Sequence, residues 1–221
     1  MQTTQTPPEA PLDCTLCQRL VDYRVENQQK EPTWHNAPVD SFGVTSAQLL
    51  IVGLAPGVTG ANRTARPFTG DFAGDLLYGT IAKFGFSKGE YKARPDDGLE
   101  LIDAMITNAV RCVPPQNKPT GQEINTCRPF LESRIVHLPN LKAILALGKI
   151  AHDSTIRTFG HKLSAFKFAH NARHELNGPN GPIALFDSYH CSRYNTNTGR
   201  LTTEMFEAVF SGIRSHLEKA S

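Results

Sequence analysis

Four of the five cysteines are spaced as the ligands of one metal centre would be. Cys14 and Cys17 form a C-x2-C motif near the start of the chain. Cys112 and Cys127 form a second, wider pair, C-x14-C, much later in the chain. Folding could bring these two pairs together into a four-thiolate site, and sites of that kind hold zinc or an iron–sulfur cluster.

The spacing of the cysteines favours one of these two groups. A zinc ribbon usually has two tight C-x2-C knuckles, and this sequence has one. The wider pair therefore favours a [4Fe–4S] cluster, with four reduced cysteines of no special role as the alternative. The fifth cysteine, Cys191, follows His190, and a Cys–His nucleophile is conceivable. Adjacent residues of an extended segment point to opposite sides, however, which argues against that nucleophile.

Four short, nearly continuous apolar runs predict the strands of a parallel sheet, because strands buried on both faces lack alternation. The runs cover residues 48–54, 103–110, 141–148 and 182–190. At or just beyond the ends of these runs stand Gly53, Asn108, Gly148 and His190. Ligands of open α/β sheets bind outside the carboxyl ends of the strands, so we expect a site at this edge.

Helical patterns alternate with these runs, which predicts an α/β layer fold. One apolar helical face runs from Leu76 to Phe84. Thr120 and Glu123 form a T-x-x-E capping box that opens a helix through about residue 136. Two further helices are expected over residues 149–159 and 203–219. The segment 86–99 reads as an exposed insertion.

The loops beyond the predicted strands are basic. They carry Arg63, Arg66, Arg111, Lys118, Arg193 and Arg200. Six cations on three neighbouring loops could form an anion-binding face. The alternative is that each is an ordinary solvated surface charge.

Length and composition limit the number of domains and the classes of protein to which the chain could belong. A chain of 221 residues with 39% hydrophobic residues suits one domain with a substantial core. A net charge of +2 is too small to establish a nucleic-acid partner. No apolar run approaches the roughly 18 residues of a membrane span. The polar, proline-rich start predicts a disordered arm over residues 1–12, a domain over 13–221 and a cytoplasmic location, where structural disulfides are not expected.

Four features in order along the chain carry a resemblance to a known family. They are GLAPG followed by NRT-x-RPFTGD, ITNAVRCVPP-x-NKP, the four cysteines, and SYH-x-S followed by NT-x-TGRLT. Together they resemble the uracil-DNA glycosylase superfamily, above all its iron–sulfur family 5 (type b) and more distantly family 4. The likeness runs from about Cys14 to the last helix.

The resemblance implies a central four-stranded parallel sheet flanked by helices on both faces, together with a [4Fe–4S] cluster. It also implies a monomeric enzyme that flips out and excises uracil, and often hypoxanthine and other deaminated bases, from DNA. Two other functions compete with this one. One is a non-catalytic iron–sulfur protein that binds damaged DNA. The other is a phosphate-cradling nucleotide enzyme, for which the chain lacks the usual glycine motifs.

A glycosylase must hold a flipped base and stabilise the base as it leaves. The resemblance makes His190 the donor to the departing base and Phe68 the ring on which the base stacks. Asn108 would recognise the base edge or hold water, with Asp71 as the second choice for the water. Asp71 could equally cap the following helix, and Asn117 could contact the base or simply form a turn.

The remaining assignments concern the nucleotide and its phosphates. Gly53, Leu54, Ala55, Pro56 and Gly57 would hold the nucleotide closely. Arg63 and Arg66 would lie near phosphates, and the loop with Ser192, Arg193 and Arg200 would enter the minor groove. The wedge would be Arg193 or Tyr194.

Two positions depart from the wider superfamily. Leu54 stands where related families carry a carboxylate or amide that activates water, which agrees with family 5. Cys191 stands where proline is common.

Overall fold

The computed structural model describes residues 7–219, which form a mixed α/β domain around a six-stranded sheet. The strands are β1 (Phe42–Gly43), β2 (Leu49–Gly53), β3 (Ser87–Lys88), β4 (Glu100–Leu101), β5 (Ala104–Asn108), β6 (Ala143–Leu147), β7 (Arg173–Gly178) and β8 (Gly181–Ser188). The main sheet has the order β1-β5-β2-β6-β8-β7, and β3 pairs with β4 separately.

The four predicted strands are the central, mutually parallel strands β5, β2, β6 and β8. Two antiparallel edge strands, β1 and β7, were not predicted. β1 has only two residues, and β7 has the polar sequence RHELNG with a mostly solvent-accessible face. Neither segment contains the continuous apolar run that marks a buried strand, so the local pattern gave no signal.

Four helices lie close to their predicted positions: α3 (Phe72–Lys83), α4 (Gly121–Val136), α5 (Lys149–Thr158) and α7 (Thr203–Lys219). Three further helices were not predicted: α1 (Gln18–Lys30), α2 (Ala61–Thr64) and α6 (Arg193–Asn197). The capping box of α4 is complete. The Glu123 N–H donates to Thr120 Oγ1 at 3.2 Å, and the Thr120 N–H donates to Glu123 Oε2 at 2.7 Å.

Alternate side chains of the parallel strands pack into two hydrophobic cores, one on each face of the sheet. Leu49 and Ile51 of β2 pack with residues of α3 and α7, whereas Leu50 and Val52 pack with residues of α4 and α5. Helices therefore cover both faces, as expected. Because all four central strands run in one direction, their carboxyl ends meet at one edge of the domain.

Two segments differ from their predicted character. Of the arm over residues 1–12, residues 1–6 lie outside the described part of the chain. Ala10 is buried, and Glu9 makes ion pairs with Arg111 and Arg134. The 86–99 segment is mostly exposed but is anchored by the buried side chains of Phe86 and Leu99. Among residues 7–219, no helix has the length and apolarity that crossing a membrane requires.

Candidate active site

A cavity of about 380 Å³ opens at the carboxyl ends of the parallel strands. It is lined by predicted residues from five segments of the chain: Leu54, Ala55, Pro56, Gly57, Phe68, Asp71, Asn108, Asn117, His190, Ser192 and Arg193. Ala61, Phe72 and Ala73 also line it and were not singled out in the sequence. Phe72 directly follows Asp71 at the start of α3. Its position next to a predicted site residue was the only feature of the sequence that could have indicated its place in the cavity.

Gly53 is the one residue of GLAPG that does not line the cavity. It pairs with Asn108 across β2 and β5. A Cβ at this position would clash with Asn108 Oδ1 and would lie 2.7 Å from Phe68 Cζ. Glycine is therefore required here because the amide and the ring both approach its backbone.

Phe68 forms an apolar wall of the cavity although it is only 7% exposed. Its ring lies 5.8 Å from the imidazole of His190, with 28° between the two planes. Its φ angle is +53°, in the left-handed region that a non-glycine residue seldom adopts. Phe68 is therefore both a member of the hydrophobic core and part of the cavity wall.

His190 follows β8 and is half-buried at the floor of the cavity. Burial lowers its pKa to about 4, because an imidazolium would lose its hydration there. Its backbone oxygen accepts a 2.8 Å hydrogen bond from Asn195 Nδ2, which fixes the start of the next loop. At neutral pH the ring is uncharged and can donate one N–H into the cavity.

Asn108 ends β5 and is only 3% exposed. Its Oδ1 atom is buried and has no hydrogen-bond partner among the described residues. An unpaired buried polar group costs about 1–3 kcal/mol. A ligand in the cavity that donates to this amide would remove that cost.

Asp71 reaches the same cavity from the N-terminus of α3. Its Oδ1 accepts a 3.2 Å hydrogen bond from the Gly74 N–H and so caps the helix. Its Oδ2 lies beside the backbone of Gly57 and Gly60, where neither glycine has a side chain to block it. Burial raises the pKa of this carboxyl group. Asp71 therefore caps α3 and also lines the cavity.

Two further polar residues complete the rim. Ser192 caps α6 by accepting a 3.4 Å hydrogen bond from the Asn195 N–H. Asn117 is exposed and ends a short 3₁₀ turn with a φ of +56°. Asn117 therefore forms a turn and also lines the cavity, so both of its predicted roles remain open.

The basic loops divide into exposed and buried cations. Arg63, Lys118, Arg193 and Arg200 are exposed. The guanidinium of Arg193 lies 5.2 Å from the ring centre of Phe72, and that of Arg200 lies 4.6 Å from that of Tyr189. These four side chains are accessible to an anionic ligand.

Arg66 and Arg111 correct the sequence-based assignment, because neither can reach phosphates. Arg66 is 5% exposed and pairs with Asp97 through two 2.7 Å hydrogen bonds. Arg111 is 1% exposed and pairs with Glu9 at 2.9 Å. Each acidic partner is distant in sequence, so no local pattern revealed the pairing.

The four paired cysteines all line a second, small cavity beside α1 and α4. The backbone N–H of Arg111 donates to Cys127 Sγ at 3.3 Å. Burial raises the pKa of Cys112 to about 12 and that of Cys127 to about 11. The sulfurs are not tightly clustered, since no three of them lie within 4.8 Å of one another.

The tightest group of potential metal ligands in residues 7–219 is instead His152, His174 and Asp187. His152 and Asp187 are fully buried, and Nδ1 of His152 lies 2.7 Å from Asp187 Oδ1. The other ring nitrogen of His152 lies 2.9 Å from the Phe166 carbonyl oxygen. Both nitrogens therefore have protein partners, as in a structural hydrogen-bonded pair.

Cys191 is also fully buried and does not line the active-site cavity.

Comparison with known proteins decides the family. A family model described as the uracil DNA glycosylase superfamily matches residues 41–214, which include every strand of the main sheet. The chain belongs to the uracil DNA glycosylase superfamily.

Within this superfamily, the chain is similar to proteins named type-5 uracil-DNA glycosylase. The protein of Thermus thermophilus is 44% identical over 89% of this chain and 90% of the relative. That of Pyrobaculum aerophilum is 36% identical over 90% of this chain and 86% of the relative. A type-4 uracil-DNA glycosylase of Sulfurisphaera tokodaii is less similar, at 29% identity over 77% of this chain. These comparisons confirm the predicted similarity to family 5.

Proposed function

We propose that this protein excises uracil from DNA by hydrolysing the N-glycosidic bond, as an initiating step of DNA repair. The cavity that brings Phe68, Asn108 and His190 together carries the proposal, because it offers a stacking ring, a base-reading amide and a donor. The names of the type-5 relatives support it. We further propose that hypoxanthine and other deaminated bases are accepted.

The flipped base would stack on the ring of Phe68. Base–aromatic stacking is worth about 1–3 kcal/mol and depends little on which base is present. The unpaired Oδ1 of Asn108 would receive a donor from the base edge or from the attacking water. A pocket that recognises the base mainly by stacking suits several deaminated bases.

Breaking the glycosidic bond leaves negative charge on the departing base. His190 would stabilise that charge by donating an N–H, and its lowered pKa implies that it acts as a neutral donor. Asn108 and Asp71 are the two candidates for holding the water, and both line the cavity. The aliphatic side chain of Leu54 has no polar group with which to hold the water.

Arg63, Arg193 and Arg200 are the proposed phosphate contacts, with exposed Lys118 as a fourth. Tyr194 is 72% exposed on α6, next to the cavity residue Arg193. A large exposed aromatic beside a base pocket suits the wedge that enters the duplex, so we favour Tyr194 over Arg193 for that role.

A [4Fe–4S] cluster held by Cys14, Cys17, Cys112 and Cys127 is part of the proposal. Two observations support the fit: all four line one cavity, and Cys127 receives a backbone hydrogen bond of the kind that tunes cluster sulfurs. A tetrahedral zinc ion with bonds of about 2.3 Å would need sulfurs about 3.8 Å apart. No three of these sulfurs lie within 4.8 Å of one another, so their positions do not match a tetrahedral zinc site. When bound, the cluster would tie the segment before α1 to α4.

Iron content tests this assignment. The protein purified without exposure to oxygen should be brown and contain about four irons per chain. Cys112→Ser should lose iron, whereas Cys191→Ser should keep it, because Cys191 lies outside the cysteine cavity. Stoichiometric zinc with no visible absorption would contradict the cluster.

An excision assay tests the function itself. Oligonucleotides that contain uracil, hypoxanthine or xanthine at one site would be incubated with the protein, and abasic sites would be detected by alkaline cleavage. We expect cleavage at uracil and hypoxanthine and none in the undamaged control. Binding of uracil-containing DNA without abasic sites would instead support a non-catalytic damage-binding protein. A cytoplasmic location and a monomeric state remain predictions.

A further inference from the structure

The segment between β3 and β4 contacts the loop that carries Phe68 through residues that do not line the cavity. The hydroxyl of Tyr91 donates to the backbone oxygen of Phe68 at 3.2 Å. The ring of Tyr91 is stacked on that of Tyr78, with 4.4 Å between centroids and 22° between planes. Tyr91 itself is not among the residues that line the cavity.

A second contact from the same segment runs through the buried ion pair of Arg66 and Asp97. The side chain of Asp97 is fully buried and also accepts backbone N–H bonds from Lys92 and Leu99, both at 3.0 Å. Arg66 Nε donates to Thr69 Oγ1 at 2.7 Å. The pair therefore links the 92–99 turn to the residue that follows Phe68. The Arg66 guanidinium holds the pKa of Asp97 well below its usual range, so the pair stays charged.

A third contact comes from α3, where the hydroxyl of Tyr78 donates to the Pro67 backbone oxygen at 2.7 Å. Consecutive groups of Pro67, Phe68 and Thr69 are thus each held by a side chain. The left-handed backbone of Phe68 needs such support, because a non-glycine residue adopts it at a cost. Gly74 makes room for the arrangement, since a Cβ there would clash with the Phe68 oxygen and the Tyr91 hydroxyl.

We propose that Tyr91 and Asp97 are positioning residues for base excision. They hold residues 67–69 in the conformation that presents the Phe68 ring to the cavity, and they do so without touching the base. The proposal rests on the proposed function, in which Phe68 stacks on the flipped base. It gives the 86–99 segment a role that its exposed, polar sequence did not suggest.

Tyr91→Phe is the most selective test, because it keeps the stacked ring and removes only the hydroxyl. Loss of one hydrogen bond should slow single-turnover excision of uracil by about three- to tenfold. The unfolding temperature should fall by no more than about 2–4 °C, because that hydrogen bond is worth about 1 kcal/mol. Tyr23→Phe is the matched control, since Tyr23 is a half-buried tyrosine on α1 and lies outside both cavities.

A double-mutant cycle separates positioning from a general structural effect. In a Phe68→Ala background, Tyr91→Phe should cause no further loss, because the ring that it positions is already gone. Equal losses in the two backgrounds would overturn the proposal. Asp97→Asn should also slow excision, whereas Asp96→Asn at the exposed neighbouring position should not.

Amide hydrogen exchange over residues 66–71 provides a readout that does not require activity. Exchange should be faster in Tyr91→Phe than in the wild type, and unchanged exchange would overturn the proposal. An inactive wild-type protein would refute the proposed function. The exchange result would still show whether the Tyr91 hydroxyl stabilises the backbone around Phe68. Wild-type excision that Tyr91→Phe leaves unaltered would refute the role of Tyr91 alone.

Discussion

Replacing His190 by alanine should slow uracil excision by about 10²–10⁴-fold, because a donor to developing charge acts mainly in the transition state. DNA affinity and folding should be preserved, since the ring lines a cavity and does not fill the core. The measurement is the single-turnover rate at saturating protein, together with the dissociation constant for uracil-containing DNA. His137→Ala, at an exposed position after α4, is the matched control.

The pH profile distinguishes a neutral donor from a charged one. A pKa lowered to about 4 leaves His190 uncharged at neutral pH. Titration of this residue should therefore cause no change in the excision rate between about pH 6 and 8. A rate that falls as pH rises through about 6.5 would indicate an imidazolium donor. Full activity of His190→Ala would remove the residue from the mechanism.

Asn108→Ala should be the second most damaging change and should slow excision of every accepted base by about 10²-fold. The reason is that its buried Oδ1 has no hydrogen-bond partner among residues 7–219, so we expect the base or the water to supply one. Leu54→Ala should lose far less, because an aliphatic side chain cannot orient water. Single-turnover excision of uracil and hypoxanthine by both variants would test this order.

Asp71→Asn decides between the two candidates for the water. Asparagine is also a good N-cap, so the substitution should preserve the start of α3 while removing the carboxylate. If Asp71→Asn is more damaging than Asn108→Ala, the carboxylate holds the water and Asn108 mainly recognises the base. If Leu54→Ala is the most damaged, or Asn108→Ala spares hypoxanthine, the proposed role of Asn108 is wrong.

Much of the fold could be predicted because its signals are local. The continuous apolar runs identified all four parallel strands, and the Thr120 capping box located the start of α4. Parallel strands carry their carboxyl ends to one edge. That rule predicts that Asn108 and His190 share one site, and both line the cavity.

Only the tertiary structure shows which charged residues are buried and what surrounds the loop residues of the site. Arg66 and Arg111 look like loop cations, but folding buries them against Asp97 and Glu9, which lie 31 and 102 positions away in the numbering. Asp71 could cap a helix or face the pocket; it does both, and the glycines at positions 57 and 60 leave room for its Oδ2. Local sequence determines hydrophobic periodicity and caps, because these depend on neighbours along the chain. The pairing of buried charges and the support of Phe68 depend on segments that meet only after folding, so the three-dimensional structure alone determines them.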